Sequence, residues 1–104
     1  MVQGVLGRVE DLVTTKDGRR LGMFSYRTLK TIDGLGETQI IQNSLDSFTV
    51  LSTFKSEVDQ HILEQRISRK FSDVVGHSVN VELTRVQSIP RGPNGKIRLV
   101  ISKI

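Results

Sequence analysis

The most regular alternation of apolar and polar positions lies between Glu57 and Val75. Apolar residues recur there at spacings of three to five positions, separated by charged and polar residues. They are Val58, Ile62, Ile67, Phe71 and Val74. Because residues at this spacing share one side of a helix, the pattern predicts a long amphipathic helix over Glu57–Val75.

The flanking residues indicate where this helix begins and ends. Ser56 is followed three residues later by Asp59, which resembles a capping box. Gly76 follows the last apolar positions and predicts the C-terminal stop. Three cations lie in the C-terminal half, where positive charge suits the helix dipole. These cations are Arg66, Arg69 and Lys70.

Period-two alternation, which is typical of β-strands, appears in the second half of the chain. Val79–Val86 shows it most cleanly, and Ile97–Ser102 repeats it near the end. Glu37–Gln42 and Ser47–Phe54 are predicted as two further strands, the second with apolar groups on both faces. Asn43–Asp46 between them has the length and polarity of a hairpin loop.

The N-terminal part predicts a small β-hairpin at the edge of the domain. Val5–Val13 has a β-leaning composition, and Arg20–Met23 is the short return strand. Lys16–Gly18 lies between them, where Asp and Gly supply the backbone conformations that a tight reversal needs.

A second, shorter helix is predicted over Phe24–Ile32, with Ser25 as its cap and Gly34 and Gly36 at its end. The element order is therefore hairpin, helix, two strands, long helix, strand, loop and strand. This order predicts the α+β class: a small antiparallel sheet covered on one face by two helices, with an N-terminal β-hairpin.

Length and composition indicate one globular domain. We expect residues 1–104 to form a single domain, because 104 residues leave no room for two. Hydrophobic residues make up 37% and charged residues 25%, as in soluble domains. No apolar segment approaches the roughly 20 residues of a membrane span. Met1–Leu12 lacks the pattern of a signal peptide, so we expect a cytoplasmic protein.

The numbers of cysteine, histidine and charged residues exclude several kinds of reactive or ligand-binding site. Cysteine is absent, which excludes disulfides, thiolate metal sites and cysteine nucleophiles. The two histidines, His61 and His77, are too few and too far apart to predict a metal site. The net charge is +4, but the basic residues are dispersed and aromatic residues are only 5%. A nucleic-acid-binding domain is therefore the weaker alternative to a domain that meets an anionic cofactor or an acidic neighbour.

The most distinctive motif is the loop Ile89–Arg98, with the sequence Ile-Pro-Arg-Gly-Pro-Asn-Gly-Lys-Ile-Arg. Its centre is a turn sequence, because Pro fixes φ and Asn and Gly tolerate left-handed geometry. A phosphate-binding P-loop is excluded. Gly92 lies only three residues before Gly95, and Ile97 stands where that motif needs a hydroxyl.

A second motif, Gly7-Arg8-Val9-Glu10-Asp11, lies about ninety residues before this loop. Together the two motifs resemble the opening hinge and the closing catalytic loop of the C-terminal domain of adenylate-forming enzymes. The most similar branch contains phenylacetate–coenzyme A ligases and relatives associated with capsular polysaccharide biosynthesis. The extended tail Lys96–Ile101 is similar to that branch. The resemblance implies a mobile lid that belongs to a larger ligase.

The resemblance also implies roles for individual residues. Lys96 would be the catalytic lysine, with its ammonium between the substrate carboxylate and the α-phosphate or ribose of ATP. Arg8 and Arg20 would contact the nucleotide. Glu10, with Asp11 beside it, would be the hinge.

The turn at Gly18 would face coenzyme A as acyl acceptor. The phosphate loop and the Mg²⁺-binding acidic residue of the family belong to the large N-terminal ATP-binding domain, and this sequence has neither motif. The implied cofactors are therefore ATP and Mg²⁺, bound mainly by that domain, and the isolated chain is expected to be inactive.

The implied partners are the N-terminal adenylation domain of the same enzyme and a carboxylate substrate, without nucleic acid or membrane. A free lid exposes the face that packs on its partner, which makes weak self-association a further hypothesis. The element order leaves one alternative open. It is a stand-alone ferredoxin-like regulatory or small-ligand-binding module with no catalysis.

Overall fold

A computed structural model describes residues 8–55, 57–92, 95 and 97–104, except for the side chains of Arg8, Val9 and Ile97. The described residues form seven strands and two helices. In chain order they are β1 (Arg8–Glu10), β2 (Val13–Thr14), β3 (Arg20–Leu21), α1 (Phe24–Leu29), β4 (Leu35–Gln42), β5 (Ser47–Phe54), α2 (Gln60–Val75), β6 (Asn80–Arg85) and β7 (Ile97–Ser102). The predicted α+β class, two helices and N-terminal hairpin are confirmed.

The main sheet has five strands in the order β1-β7-β4-β5-β6. Only β4 and β5 pair antiparallel, whereas β1–β7, β4–β7 and β5–β6 are parallel. The predicted antiparallel sheet is therefore a mixed sheet. The physical reason is that α2 carries the chain back across the sheet, so β6 lies beside β5 in the same direction. In a ferredoxin-like sheet another strand would separate these two strands, so the described strands do not have the ferredoxin-like order.

The predicted first strand, Val5–Val13, is divided between two sheets. β1 leaves the hairpin and joins the main sheet beside β7. Only Val13 and Thr14 pair with the return strand, opposite Leu21 and Arg20. The first part of the predicted strand, residues 5–7, lies outside the described residues. The predicted strand is divided because β1 pairs with β7, and local composition does not reveal such a long-range contact.

Three phenylalanine rings join the two helices to one face of the sheet. Phe24 of α1, Phe48 of β5 and Phe71 of α2 are almost completely buried. Their ring centroids lie 4.8–5.6 Å apart, with Phe71 edge-on to both other rings. Edge-to-face contact places the positive ring edge on a negative ring face and adds to the hydrophobic burial. The two helices therefore cover the same face, as predicted.

The long helix begins later than the apolar stripe predicted. α2 starts at Gln60, and the Asp59 carboxylate accepts hydrogen bonds from the backbone N–H groups of His61 (2.9 Å) and Ile62 (3.3 Å). Asp59 is thus the N-cap itself, and the predicted capping box is wrong; Ser56 lies outside the described residues. The predicted stop is confirmed, because Gly76 is the C-cap with φ +87°.

The buried stripe of α2 consists of Leu63, Ile67, Phe71 and Val75, each four residues from the next. The predicted stripe is correct at Ile67 and Phe71 but wrong at Ile62, which is 45% exposed. Its remaining members, Val58 and Val74, are partly buried against the core.

The short helix α1 ends at Leu29, earlier than predicted, and its N-cap position is Met23 with φ +54°. Ser25 lies in the first turn and is not the cap, so that prediction is wrong. Tyr26 and Thr28 are weak helix formers, which fits a helix of only two turns. Gly34, with φ +96°, lies in the loop after the helix.

A polar stripe on α2 covers the free edge of β6. Ser72 Oγ accepts a hydrogen bond from the Val79 N–H, and the Ser68 hydroxyl donates to the Val79 carbonyl, both at 3.2 Å. Two turns earlier, Gln60 donates to the Leu83 carbonyl (2.7 Å), and Glu64 accepts from the Leu83 N–H (2.8 Å). The four side chains lie four residues apart along the helix. They satisfy backbone groups that an edge strand otherwise offers to another chain.

Replacement of Glu64 by alanine is expected to lower the free energy of unfolding by about 1–3 kcal/mol, because the buried Leu83 N–H loses its acceptor. Glu64→Gln keeps an acceptor oxygen and is expected to lose less. Exposed Gln65 on the same helix is the control, and Gln65→Ala is expected to stay within about 0.5 kcal/mol. Urea unfolding of the three variants measures the difference. Equal losses for Glu64→Ala and Gln65→Ala would contradict the edge-covering role.

Candidate functional site

The two motifs from the ends of the chain are neighbours in the sheet. β1 pairs with β7 in parallel, with Arg8 opposite Ile97, Val9 opposite Arg98 and Glu10 opposite Val100. Ile97 is the residue that follows Lys96 in the sequence. Lys96 and the turn residues Pro93 and Asn94 lie outside the described residues, as does the Arg8 side chain. The backbone nevertheless brings the two motifs together at one edge of the sheet.

Asp11 fastens the first motif to the strand that follows Lys96. Its backbone N–H donates to the Val100 carbonyl at 3.0 Å. Its carboxylate oxygen Oδ2 accepts hydrogen bonds from Arg98 Nη2 at 3.0 Å and from the Ser102 N–H at 2.9 Å. The Asp11 side chain is 33% exposed and that of Arg98 is 47% exposed. Charge-assisted bonds of this kind are roughly twice as strong as neutral ones.

Glu10 connects the same strand to helix α1. The pairing of β1 with β7 shifts register between Val9 and Glu10. Glu10 Oε1 accepts a hydrogen bond from the Ser25 N–H at 3.4 Å. The N-cap residue Met23 makes no side-chain capping bond. Glu10 therefore supplies an acceptor and a negative charge to the first turn of α1, where both are favourable.

The two neighbouring arginines of the hairpin have different surroundings. Arg19 Nη2 donates to the Val75 carbonyl at the end of α2 (2.7 Å), and its Nε donates to Asp17 (3.0 Å). The Arg20 side chain is exposed, and no hydrogen bond or ion pair joins it to the described part of the chain. Arg19 is thus committed to holding the hairpin, whereas Arg20 is available to a ligand.

Gly18 forms the tip of the hairpin turn. Its φ of +88° is a left-handed conformation that side chains rarely adopt, and its N–H donates to the Thr15 carbonyl at 3.1 Å. A Cβ atom at this position would meet nothing within 4 Å among the described residues. The turn geometry therefore requires the glycine, and the space above it is open to an approaching molecule.

Buried Gln42 docks the hairpin on the main sheet. Its amide donates to the Thr14 carbonyl at 2.8 Å and accepts from the Thr14 N–H at 3.0 Å, as a neighbouring strand would. Lys16 Nζ lies 2.9 Å from Asp46 in the β4–β5 loop. The hairpin and the sheet are therefore joined by several contacts, none of which is visible in local sequence patterns.

The Thr15 hydroxyl donates to the Asp17 carboxylate, and this bond, followed by that from Arg19, holds the pKa of Asp17 below its ordinary value of 3.8. Because the folded pKa is lowered, this stabilisation is present above that ordinary value and is lost as pH falls through the folded pKa. Asp17→Asn is expected to flatten the pH dependence of the unfolding free energy between about pH 5 and about pH 2. Urea unfolding at several pH values measures it. Superimposable profiles for the variant and the wild type would contradict the prediction.

A groove of about 480 Å³ lies beside α1 and the start of β4. Its floor includes the buried side chains of Leu29 and Leu35. Glu37 lines its wall and accepts a hydrogen bond from Arg91 Nη2 at 2.8 Å. Arg91 directly precedes Gly92 in the predicted catalytic loop. The ion pair therefore joins the first part of that loop to β4, and no short-range signal in the sequence predicts it.

Two further observations concern the described residues alone. No group of three or more His, Asp or Glu side chains is arranged among them as a metal site. None of the described helices has both the length and the apolar character needed to cross a membrane.

Comparisons with known proteins agree with this fold. A domain of phenylacetate-coenzyme A ligase from Bacteroides vulgatus ATCC 8482 has a similar structure, with a TM-score of 0.57 and 20% sequence identity. The match covers 89% of this chain and 94% of that domain. No curated protein matches the sequence.

Residues 12–103 match the family model of the CapK C-terminal domain. The chain belongs to this family. The predicted resemblance to the C-terminal domain of adenylate-forming ligases is thereby confirmed. An N-terminal domain of the same enzyme is its implied partner.

Proposed function

We propose that this chain is the mobile C-terminal domain of an ATP-dependent carboxylate ligase and supplies the catalytic lysine for acyl-adenylate formation. The observation that carries the proposal is the parallel pairing of β1 with β7, which places Arg8 opposite Ile97. A nucleotide-binding arginine and a catalytic lysine must act on the same ATP molecule. Their motifs lie far apart in sequence, and adjacent strands bring them to one edge of the domain.

In the proposed reaction, the carboxylate oxygen attacks the ATP α-phosphate and pyrophosphate leaves. The Lys96 ammonium lies between the attacking oxygen and the α-phosphate. Negative charge accumulates there in the transition state, and a fixed cation in a site with little water stabilises it strongly. Arg8 binds the ribose or phosphates of the same nucleotide. ATP and Mg²⁺ are held mainly by the N-terminal domain, so the isolated chain is inactive.

The hinge lies at Glu10, where the pairing with β7 shifts register. Asp11 is bonded to Arg98, Val100 and Ser102 and therefore moves with the domain. Rotation about the preceding residue lets the domain present a different face to its partner after adenylation.

The β2–β3 hairpin faces coenzyme A during thioester formation. The open space above Gly18 and the uncommitted side chain of Arg20 support this proposal, since a phosphate-bearing thiol needs both access and a cation. The carboxylate substrate binds in the N-terminal domain.

The proposal is tested in the parent ligase by measuring carboxylate-dependent ATP–pyrophosphate exchange with Lys96 replaced. Loss of exchange in a folded variant supports the proposed function. Exchange at the wild-type rate overturns it, because adenylation would then proceed without the residue that defines the domain's role.

A further inference from the structure

A second cleft, of about 340 Å³, lies along the exposed side of α2. Its walls carry Ile32, Ile62, Arg66, Arg69, Lys70 and Asp73. None of these residues belongs to the proposed ligase site. The cleft combines exposed apolar surface with three positive charges.

The helix dipole does not explain why three basic residues lie together on this side of α2. The last turn of α2 contains no basic residue, and the dipole acts mainly within that turn, so the dipole explanation predicted from the sequence is wrong. Arg66 lies three residues from Arg69 and four from Lys70, spacings at which like charges repel. No ion pair or hydrogen bond joins any of the three side chains to the described residues, and Asp73 is the sole acid among those that line the cleft.

The apolar part of the cleft is also uncovered. Ile62 is 45% exposed, although its position in the sequence suggests a core residue. It lies one turn before Arg66, and Ile32 from the α1–β4 loop lines the same cleft. From Ile62 to Lys70 the helix rises about 12 Å, which is slightly more than two turns.

We propose that this cleft docks an acidic amphipathic helix of a partner protein. Carboxylates of the partner would neutralise the three cations, and an apolar side chain would cover Ile62 and Ile32. A small phosphate-bearing molecule would leave the isoleucines in water. A nucleic acid has no apolar side chain to cover the isoleucines. With 5% aromatic residues, the chain also offers few rings on which bases could stack. The mixture of charge and apolar surface therefore favours a protein partner.

Titration of the isotope-labelled chain by NMR tests the proposal. The probe is a short helical peptide with Glu and Leu on one face at helical spacing. Its matched control has the same charge and has Ser in place of Leu. The dissociation constant of the Leu peptide is expected to be at least about tenfold lower than that of the Ser peptide. Its binding is expected to shift the NMR signals of the α2 amides and of the Ile62 methyl groups. Added salt should weaken binding.

Three variants test whether the peptide binds at the cleft. R66E/R69E is expected to lower affinity about tenfold or more, whereas R27E/K103E, with the same change in charge at exposed positions elsewhere, is expected to retain it. Ile62→Ser should remove the preference for the Leu peptide. Amide dispersion checks that each variant is folded.

Three outcomes would overturn the proposal. The first is equal affinity for the Leu and Ser peptides. The second is full competition by inorganic pyrophosphate at equal concentration, which indicates a simple anion site. The third is binding that R66E/R69E leaves unchanged.

Discussion

Replacement of Lys96 by alanine in the parent ligase is expected to lower carboxylate-dependent ATP–pyrophosphate exchange by about 10²–10³-fold. The loss follows from removing a cation that acts where negative charge develops between the carboxylate and the α-phosphate. Because this interaction strengthens in the transition state, the loss should appear in kcat and not chiefly in KM. Thioester formation from a preformed acyl-adenylate should be affected much less.

Two further variants separate catalysis from general effects of charge. Lys103→Ala removes an exposed lysine just beyond the end of β7 and is expected to leave exchange unchanged. Lys96→Arg keeps the charge with a different donor geometry and is expected to recover only part of the activity. If the Lys96→Ala variant exchanged at the wild-type rate, the Ile89–Arg98 loop would be an ordinary turn without a catalytic role.

Local periodicity was sufficient to predict most elements of this fold. β5 has the predicted bounds Ser47–Phe54, and α2 ends at Val75 before Gly76 as expected. Strand direction was not predictable in this way, because alternation is the same in parallel and antiparallel strands. Direction depends on the crossover through α2 and on the insertion of β7 between β1 and β4.

The error at Ile62 shows a second limit of sequence patterns. Ile62 and Leu63 are adjacent apolar residues, and a tolerance of three to five positions admits either one, whereas a strict four-residue spacing before Ile67 selects Leu63. The helix begins after the N-cap Asp59, and Leu63, Ile67 and Phe71 face the core. Ile62 therefore lies on the exposed side of the helix.

Residues of the candidate site were predictable from the sequence only where they belong to a recognisable motif. The roles of Arg8 and Lys96 were predicted from their motifs, but the β1–β7 pairing that brings Arg8 opposite Ile97 has no local sequence signal. The different contacts of Arg19 and Arg20 depend on the end of α2, which packs there only in the folded chain. Long-range contacts such as Glu37–Arg91 have no local signature at all.

Replacement of Asp11 by alanine in the parent ligase is expected to lower kcat for adenylation by about 10–100-fold with smaller changes in KM. Asp11 is a positioning residue on the proposed function, because it touches β7 and not the substrate. Without its carboxylate, Arg98 and the Ser102 N–H lose their shared acceptor. The strand that begins directly after Lys96 is then held less firmly, and a small displacement of a catalytic cation costs much of its effect.

The matching variants distinguish positioning from simple stability. Asp11→Asn keeps an oxygen for the Ser102 N–H but loses the charge that Arg98 faces, so an intermediate kcat is expected. Arg98→Ala in combination with Asp11→Ala should cost less than the sum of the single changes, since the two residues act through one contact. Thermal unfolding of each variant gives the loss of stability independently. If Asp11→Ala lowers stability but leaves kcat unchanged in the folded enzyme, the carboxylate serves the fold alone. A loss of kcat that follows the Asp11–Arg98 contact would instead show that this contact positions the strand beginning directly after Lys96.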